Sequence, residues 1–352
     1  MRAITVTPGK PHSGKLKEVA EPPQSDGALL VRALALGVCA TDRDIVSGSY
    51  GTAPPGESLL ILGHESLGVV EAAPSDSGFA PGDLVVGIVR RPDPVPCLAC
   101  AAGEWDMCQN GLYVERGIKA RHGFGAERFR LEPDFAVKIH RALGLNGVLL
   151  EPASIVAKAW EQVERIGERS RAWRPRTVLI AGAGPIGLLA AMIGVQRELQ
   201  VHVYDRHDKG PKPSLANDLG AVYHTGSLPD VIRNVRPDIL LECTGAPPLI
   251  VDAMGAAVPD GIVCLTGVSD CGHAIDVDFG SLNRALVLNN NVVFGSVNAN
   301  RRHYDLAATA LYGADPKWLG RLITRREPFE RWQEALRHDP GDVKVVIEFP
   351  QH

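Results

Sequence analysis

No sign of charge dominates this sequence. Its 37 lysines and arginines stand against 41 aspartates and glutamates, a net −4 with histidine neutral. That balance offers no basic field to nucleic acid or to an anionic membrane. Long runs of like charge and low-complexity tails are missing as well. The opening residues, MRAITVTPGK, lack the apolar core that follows the basic start of a secretory leader, so a cytoplasmic location is expected. Long apolar runs are missing with one exception. Val178 to Gln196 carries no charge and approaches the length of a membrane span. It holds four glycines and Pro185, with the glycines at nucleotide-loop spacing, so no span is expected. Cysteines number seven, an odd count, with three inside Cys97 to Cys108 and Cys243, Cys264 and Cys271 scattered. In a reducing compartment such clustering points to metal rather than disulfides.

A chain of 352 residues is too long for one hydrophobic core, and two domains are expected. The first 150 or so residues are rich in glycine and proline, with short β-like runs such as Ala28 to Val31, Gly68 to Val70 and Leu84 to Val86. Turn signals such as Pro81-Gly82-Asp83 separate them, which reads as a mostly β domain. The character changes near Arg174-Pro175-Arg176. Apolar strands then alternate with helical patterns: strands are expected at Val178–Ala181, Val201–Tyr204, Ile239–Glu242, Ile262–Thr266 and Val292–Phe294, and a helix at Ile186–Val195. Continuous apolar strands between helices imply an α/β, doubly wound parallel sheet covered on both faces. The tail, with a helix at Trp332–Leu336 and a strand at Val343–Ile347, reads as the completion of the first domain.

Gly182-Ala183-Gly184-Pro185-Ile186-Gly187 follows a strand and opens a helix, the context that the dinucleotide fingerprint requires. Gly182 permits the tight turn, Gly184 lets a pyrophosphate approach the backbone, and Gly187 lets helix and strand pack closely. The helix start offers free N–H groups to phosphate. About twenty residues on, the next strand ends in Asp205, where an acid binds ribose hydroxyls. A carboxylate there repels a 2′-phosphate and favours NAD over NADP. Arg206 and His207 offset that repulsion in part, which leaves dual use open.

Cys39, His64, Glu65 and Glu151 are far apart in sequence, and each alone has an ordinary reading as a buried thiol, core histidine or helix-capping acid. Gly63-His64-Glu65 with Gly68, however, resembles the zinc signature of medium-chain dehydrogenases, as does Cys39-Ala40-Thr41-Asp42. Glu151-Pro152 lies where that family carries its third metal ligand. The resemblance runs nearly the entire chain. It implies a GroES-like, mostly β catalytic domain at 1–155 completed by 300–352, and a Rossmann domain at 156–299. It implies Cys39 and His64 as ligands of a catalytic zinc, Glu151 as the third, directly or through water, and Glu65 as a support or alternate ligand. Thr41 is expected to hydrogen-bond the substrate oxygen and begin proton release. Zinc with three protein ligands keeps a fourth position for substrate oxygen, and a hydroxyl held there is acidified. In the same family Thr244 and Gly245, with Gly267 and Val268, border the cofactor.

Within the family the sequence looks most like archaeal-type glucose 1-dehydrogenases. The resemblance rests on Val89-Arg90-Arg91-Pro92, Tyr113-Val114-Glu115-Arg116-Gly117, His122-Gly123-Phe124 and Gly295-Ser296-Val297-Asn298. It implies Glu115, Glu151 and Asn298 around a sugar, oxidised at its anomeric carbon to a lactone. A polyol, cyclitol or secondary alcohol is the alternative substrate. A non-catalytic nucleotide-binding protein would not be expected to keep the zinc residues. Two departures stand out. Asn289-Asn290-Asn291 replaces a histidine common in the sugar enzymes, and Asp205 stands where they carry Gly or Asn beside paired arginines. The resemblance also implies a homodimer or homotetramer built through the nucleotide domain.

Cys97, Cys100 and Cys108 resemble the structural zinc lobe of this family with its first cysteine missing; Pro94 takes that place beside Asp93. Asp93, Glu104 or Asp106 is the expected fourth ligand, since zinc accepts carboxylate and closed sites want four donors. The other reading is a relic lobe of free thiols. His202 reads as a core or surface residue of a strand, and His140, His303, His338 and His352 lack partner spacing. Cys243 is expected to pack, and Arg301-Arg302-His303 reads as an anion site or, at least equally, as a solvated helix start.

Overall fold

The structure is a computed structural model that describes residues 1–256, 258–269, 272 and 274–350. Cys271 and His352 lie outside the described residues. The chain forms two compact units, Met1–Ser154 with Asn298–His352, and Ile155–Val297. Asn298 and Ala299, which the sequence reading leaves in the nucleotide-binding domain, belong to the first unit. The side chains of Asn298 and Asn300 are bonded to Glu115 and Asp106, which anchors this stretch there.

The first unit is built on a seven-stranded sheet whose longest member is Leu29–Val38. The run expected at Ala28–Val31 is thus the start of a ten-residue strand. It pairs antiparallel with Glu65–Ala72, with Lys344–Glu348 and with Arg128–Leu131. The C-terminal segment therefore supplies a strand to the sheet begun by the N-terminal residues. Leu29, Val31, Ala33, Leu36 and Val38 enter a core with Ile4, Leu62, Val85, Phe124, Phe329 and Ile347. The two-residue period of a strand is broken once, where the pairing with Glu65–Ala72 shifts register between Ala33 and Ala35. A separate small sheet of Arg90–Arg91, Val114–Arg116 and Ala120–Arg121 carries Glu115.

The second unit is a six-stranded, wholly parallel sheet. Its order is Val222–His224, Gln200–Tyr204, Thr177–Ala181, Ile239–Glu242, Ile262–Leu265, Val292–Gly295. Val178, Leu179, Ile180 and Ala181 are all 0 % exposed, which explains why this strand is apolar without alternation. The chain runs outward from Thr177–Ala181 to one side and then crosses to the other, so the switch point lies at the C-terminal end of that strand. The uncharged run Val178 to Gln196 is this strand, the loop after it and the helix Pro185–Gln196. No described helix is long and apolar enough to cross a membrane.

Candidate metal and dinucleotide sites

The strand Leu29–Val38 ends at Cys39, which caps the helix Ala40–Ser47. Its backbone N–H donates to Asp42 Oδ2 at 2.9 Å, closing a capping box. His64 and Glu65 sit at the start of the neighbouring strand, opposite Gly37 in register. This brings Cys39 Sγ within 3.1 Å of His64 Nε2. The ligand atoms of Cys39, His64 and Glu65 lie within 4.8 Å of one another, with His64 and Glu65 buried. Asp42 Oδ1 stands 3.4 Å from His64 Nδ1, so the ring is oriented with Nε2 toward Cys39. A carboxylate behind a histidine is the usual outer support of a metal ligand.

The electrostatics agree with a cation here. Burial pushes His64 down, yet the Cys39 sulfur and the Asp42 carboxylate hold it well above its ordinary value. Asp42 is itself lowered: burial raises it, and His64 and the Cys39 N–H more than offset that. A pocket of a half-buried thiol with buried imidazole and carboxylate groups that favours an imidazolium favours a divalent ion at the same place, and this donor set is one that zinc accepts. Glu151, on the first turn of Leu150–Gly167, is buried beside this group rather than within it. Burial and the Glu65 carboxylate push it up to about 7. Thr41 is half-buried on the first turn of Ala40–Ser47.

Glu115 and Asn298 are brought together. Asn298 Nδ2 donates to Glu115 Oε1 at 2.7 Å, and Arg90 donates to the same oxygen from Nε at 3.1 Å and Nη2 at 3.0 Å. All three residues are buried. Arg90 lies over the Tyr113 ring, 3.7 Å from its centre.

In the second unit Gly182 has φ +109°, and a Cβ on Gly187 would fall 1.8 Å from the Gly182 carbonyl oxygen. Beyond Gly184 there is open space within 4 Å, at the start of the helix that begins with Pro185 and Ile186. Asp205 Oδ2 accepts the Ala183 N–H at 3.0 Å, and Oδ1 accepts the His207 N–H at 3.0 Å. Lys212, also buried, is ion-paired with Asp205 at 3.1 Å. Burial raises Asp205, but these donors and Lys212 leave it lowered overall. Arg206 is exposed, as is Val268 at 83 %. At the neighbouring strand end, Glu242 is 0 % exposed and accepts the N–H groups of Thr244 at 2.7 Å and Gly245 at 3.2 Å. A Cβ on Gly267 would strike the Gly245 nitrogen at 2.1 Å. Glu242 thus shapes the Thr244-Gly245 and Gly267 loops into one rim.

Comparison with known proteins agrees with both halves. Residues 25–141 match the alcohol dehydrogenase GroES-like domain, and residues 145–349 match the glucose dehydrogenase C-terminus. The chain belongs to the glucose dehydrogenase branch of the zinc-containing medium-chain alcohol dehydrogenases. It is 41 % identical to a glucose 1-dehydrogenase of Methanocella arvoryzae over 99 % of each chain. It is 39 % identical to that of Thermoproteus tenax, again over 99 % of each. The Haloferax mediterranei glucose dehydrogenase, solved with NADP, zinc and gluconolactone, superposes with a TM-score of 0.91 over all of both chains at 32 % identity.

The cysteine lobe brings its three thiols together. The thiols of Cys97, Cys100 and Cys108 lie within 4.8 Å of one another. N–H donors from Cys100 and Gln109 bring the Cys97 thiol down to about 6. Of the expected fourth ligands, Asp106 is committed elsewhere, because Oδ1 accepts Asn300 Nδ2 at 2.8 Å. Glu104 faces Arg302 at 3.5 Å. Asp93 is buried, and its Oδ2 has no hydrogen-bond partner among the described residues. It lies outside the thiol group all the same.

Five residues that shape these sites were not singled out from the sequence: Asp42, Arg90, Lys212, Glu242 and Lys344. Two had a signal. Asp42 stands at capping-box distance from Cys39, and Glu242 closes an apolar strand just before a Thr-Gly turn. His202 and His224 pair at 2.8 Å on adjacent strands, half-buried.

Proposed function

We propose that this protein is a zinc-dependent glucose 1-dehydrogenase that converts D-glucose to gluconolactone with hydride transfer to a nicotinamide dinucleotide. The observation that carries the reading is the convergence of Cys39, His64 and Glu65 within 4.8 Å. The buried Glu115–Asn298 pair, held in the same unit, supports it. Cys39, His64 and a carboxylate from Glu65 or Glu151 would hold the zinc, which would supply Lewis-acid stabilisation of the reacting sugar oxygen. Glu115 and Asn298 pair the remaining hydroxyls, which is how a site discriminates for polyhydroxylated substrates. Thr41 accepts the hydrogen bond of the anomeric hydroxyl and passes its proton toward solvent. A bound nicotinamide ring would supply the hydride acceptor for the C1 hydrogen, a redox chemistry that is the cofactor's own.

NAD is the preferred acceptor on this reading, because Asp205 remains ionised where a 2′-phosphate would lie. Lys212 and His207 moderate the repulsion and keep NADP usable. A structural zinc held by Cys97, Cys100 and Cys108 would take Asp93, buried and with Oδ2 unpartnered among the described residues, as its fourth ligand. A homodimer or homotetramer through the second unit is supported by its edge strand Val292–Gly295 and by exposed Phe279, Val287 and Leu288.

The test is initial-rate reduction of NAD and NADP with glucose, galactose, xylose, sorbitol and a simple secondary alcohol, with and without a zinc chelator. Chelator-sensitive activity concentrated on aldoses is expected, with NAD ahead. Activity on polyols or simple alcohols alone would overturn the sugar assignment.

A further inference from the structure

The cysteine lobe and the sugar-binding pair are joined by a closed ring of buried polar contacts. Asp106 lies in the turn Trp105–Met107, two residues before Cys108. Its carboxylate Oδ1 accepts Asn300 Nδ2 at 2.8 Å, and its backbone carbonyl accepts Arg90 Nη1 at 3.1 Å. Arg90 then donates twice to Glu115 Oε1, which also accepts Asn298 Nδ2. Asn298 and Asn300 are two residues apart in the chain, which closes the ring. Asp106, Arg90, Glu115, Asn298 and Asn300 are each under 10 % exposed.

Asn298 needs such support. Its φ of +62° is left-handed, a conformation that costs a residue with a side chain free energy unless its surroundings impose it. Asn300 provides the anchor next to it. Its side-chain oxygen caps the helix Arg301–Tyr312 by accepting the Arg302 N–H at 3.0 Å. Its amide nitrogen is the group that reaches Asp106. With Oε1 of Glu115 taking three donors, Oε2 has none among the described residues and is left to accept a ligand hydroxyl.

We propose that Asp106 is a positioning residue for sugar binding: from within the cysteine lobe it fixes Asn300, and thereby the placement of Asn298 against Glu115. The lobe then serves as the foundation of the sugar subsite. This rests on the reading that Glu115 and Asn298 contact the sugar.

The experiment compares Asp106→Ala, Asp106→Asn and Asn300→Ser in the zinc-loaded, full-length enzyme, with steady-state constants for glucose and for the dinucleotide. Serine keeps the helix cap of Asn300 but cannot span to Asp106, so the second site answers if Asp106→Ala folds poorly. Losing one buried hydrogen bond that organises ligand binding predicts a glucose KM raised about ten-fold in Asp106→Ala and Asn300→Ser. The dinucleotide KM and kcat stay within about two-fold. Asp106→Asn, whose amide oxygen still accepts Asn300, recovers most of the loss. An unchanged glucose KM in both disruptive variants overturns the proposal. So does a joint decline of kcat and both KM values that Asp106→Asn does not relieve. Glu115→Gln and Asn298→Ala are measured beside them. If these two leave the glucose KM alone, the sugar-site reading itself has failed, whereas a rise in these two only isolates the failure to Asp106.

Discussion

Lys344 and Glu65 form a buried ion pair at the edge of the candidate metal-binding group, both side chains at most 3 % exposed. Lys344 comes from the C-terminal strand Lys344–Glu348, and its Nζ also donates to the Val38 carbonyl at 3.0 Å. Gly37 makes the pairing feasible: a Cβ there would stand 2.1 Å from Glu65 Oε2. The last strand of the protein thus brings a cation to a carboxylate that also faces Cys39 and His64.

Removing that cation leaves Glu65 buried without a counter-charge, which costs about 3–5 kcal/mol when nothing else compensates. Bound zinc would compensate it. Lys344→Met is therefore expected to destabilise the zinc-free protein by about that amount and the zinc-loaded protein by less. By linkage the variant binds zinc more tightly. Thermal unfolding with and without zinc, together with chelator competition, measures both. Equal losses in the two forms would refute Lys344 as the partner that matters to Glu65.

Asp42 works from behind His64 and caps the helix that Cys39 begins. Supports of this kind are worth about 10–100-fold in metal affinity. Asp42→Asn should weaken zinc binding by that range, read by equilibrium dialysis against a buffered metal. An affinity within about two-fold of the parent would mean that His64 is oriented by its own packing.

The sequence made the second unit legible almost strand by strand, because both-face burial leaves continuous apolar runs such as Val178–Ala181 and Ile239–Leu241. The strand Val222–His224 was not legible. It is short, lies at the sheet edge and keeps Val222 exposed, so it lacks that signature. The candidate metal ligands Cys39, His64 and Glu65 could be named through a resemblance, whereas their meeting depends on the register of Gly37 with Glu65. Lys344 was silent for a physical reason. A lone cation in Lys344–Glu348 looks like a solvent-facing strand residue until the partner from a strand some 280 positions earlier is known.

Two glycines of the nucleotide loop, Gly184 and Gly187, should fail differently. Gly184 faces open space at ordinary φ −80°, so Gly184→Ala should fold with an unchanged melting temperature. Its methyl group would then occupy the space a pyrophosphate needs, and dinucleotide affinity should fall at least about ten-fold. At Gly187 the same methyl meets the Gly182 carbonyl, so Gly187→Ala should lose about 2 kcal/mol or more of stability as well. Calorimetric titration with NAD and thermal melts separate the two. A Gly184→Ala enzyme that binds NAD normally would displace the pyrophosphate from this loop.

Lys212 is a buried cation paired with Asp205, the carboxylate that on the proposed reading discriminates between NAD and NADP. Replacing it with methionine leaves Asp205 with less positive charge around it, which penalises the 2′-phosphate more than the 2′-hydroxyl. Lys212→Met should lower kcat/KM for NADP relative to NAD by about ten-fold, the size expected of one charge-assisted contact. Asp205→Ser should move the ratio the other way. A ratio that neither substitution changes would place the discrimination elsewhere, with Arg206 the next residue to test.

The acid limit of stability should be set in part by Glu132. Burial raises this carboxyl, but Arg91, donating at 2.8 Å, and Arg121 outweigh burial and bring it to about 2. A carboxyl whose folded value is depressed binds fewer protons folded than unfolded. Its stabilisation is complete above the ordinary value of 4.5 and is lost as pH falls toward about 2. Glu132→Gln should cost about 2 kcal/mol at neutral pH, and the gap between parent and variant should close as pH drops through that window. Urea midpoints measured from pH 7 down to 2.5 test this. A gap that stays constant with pH would assign Glu132 a packing role and leave the Arg91, Arg116 and Arg121 cluster without its principal counter-charge.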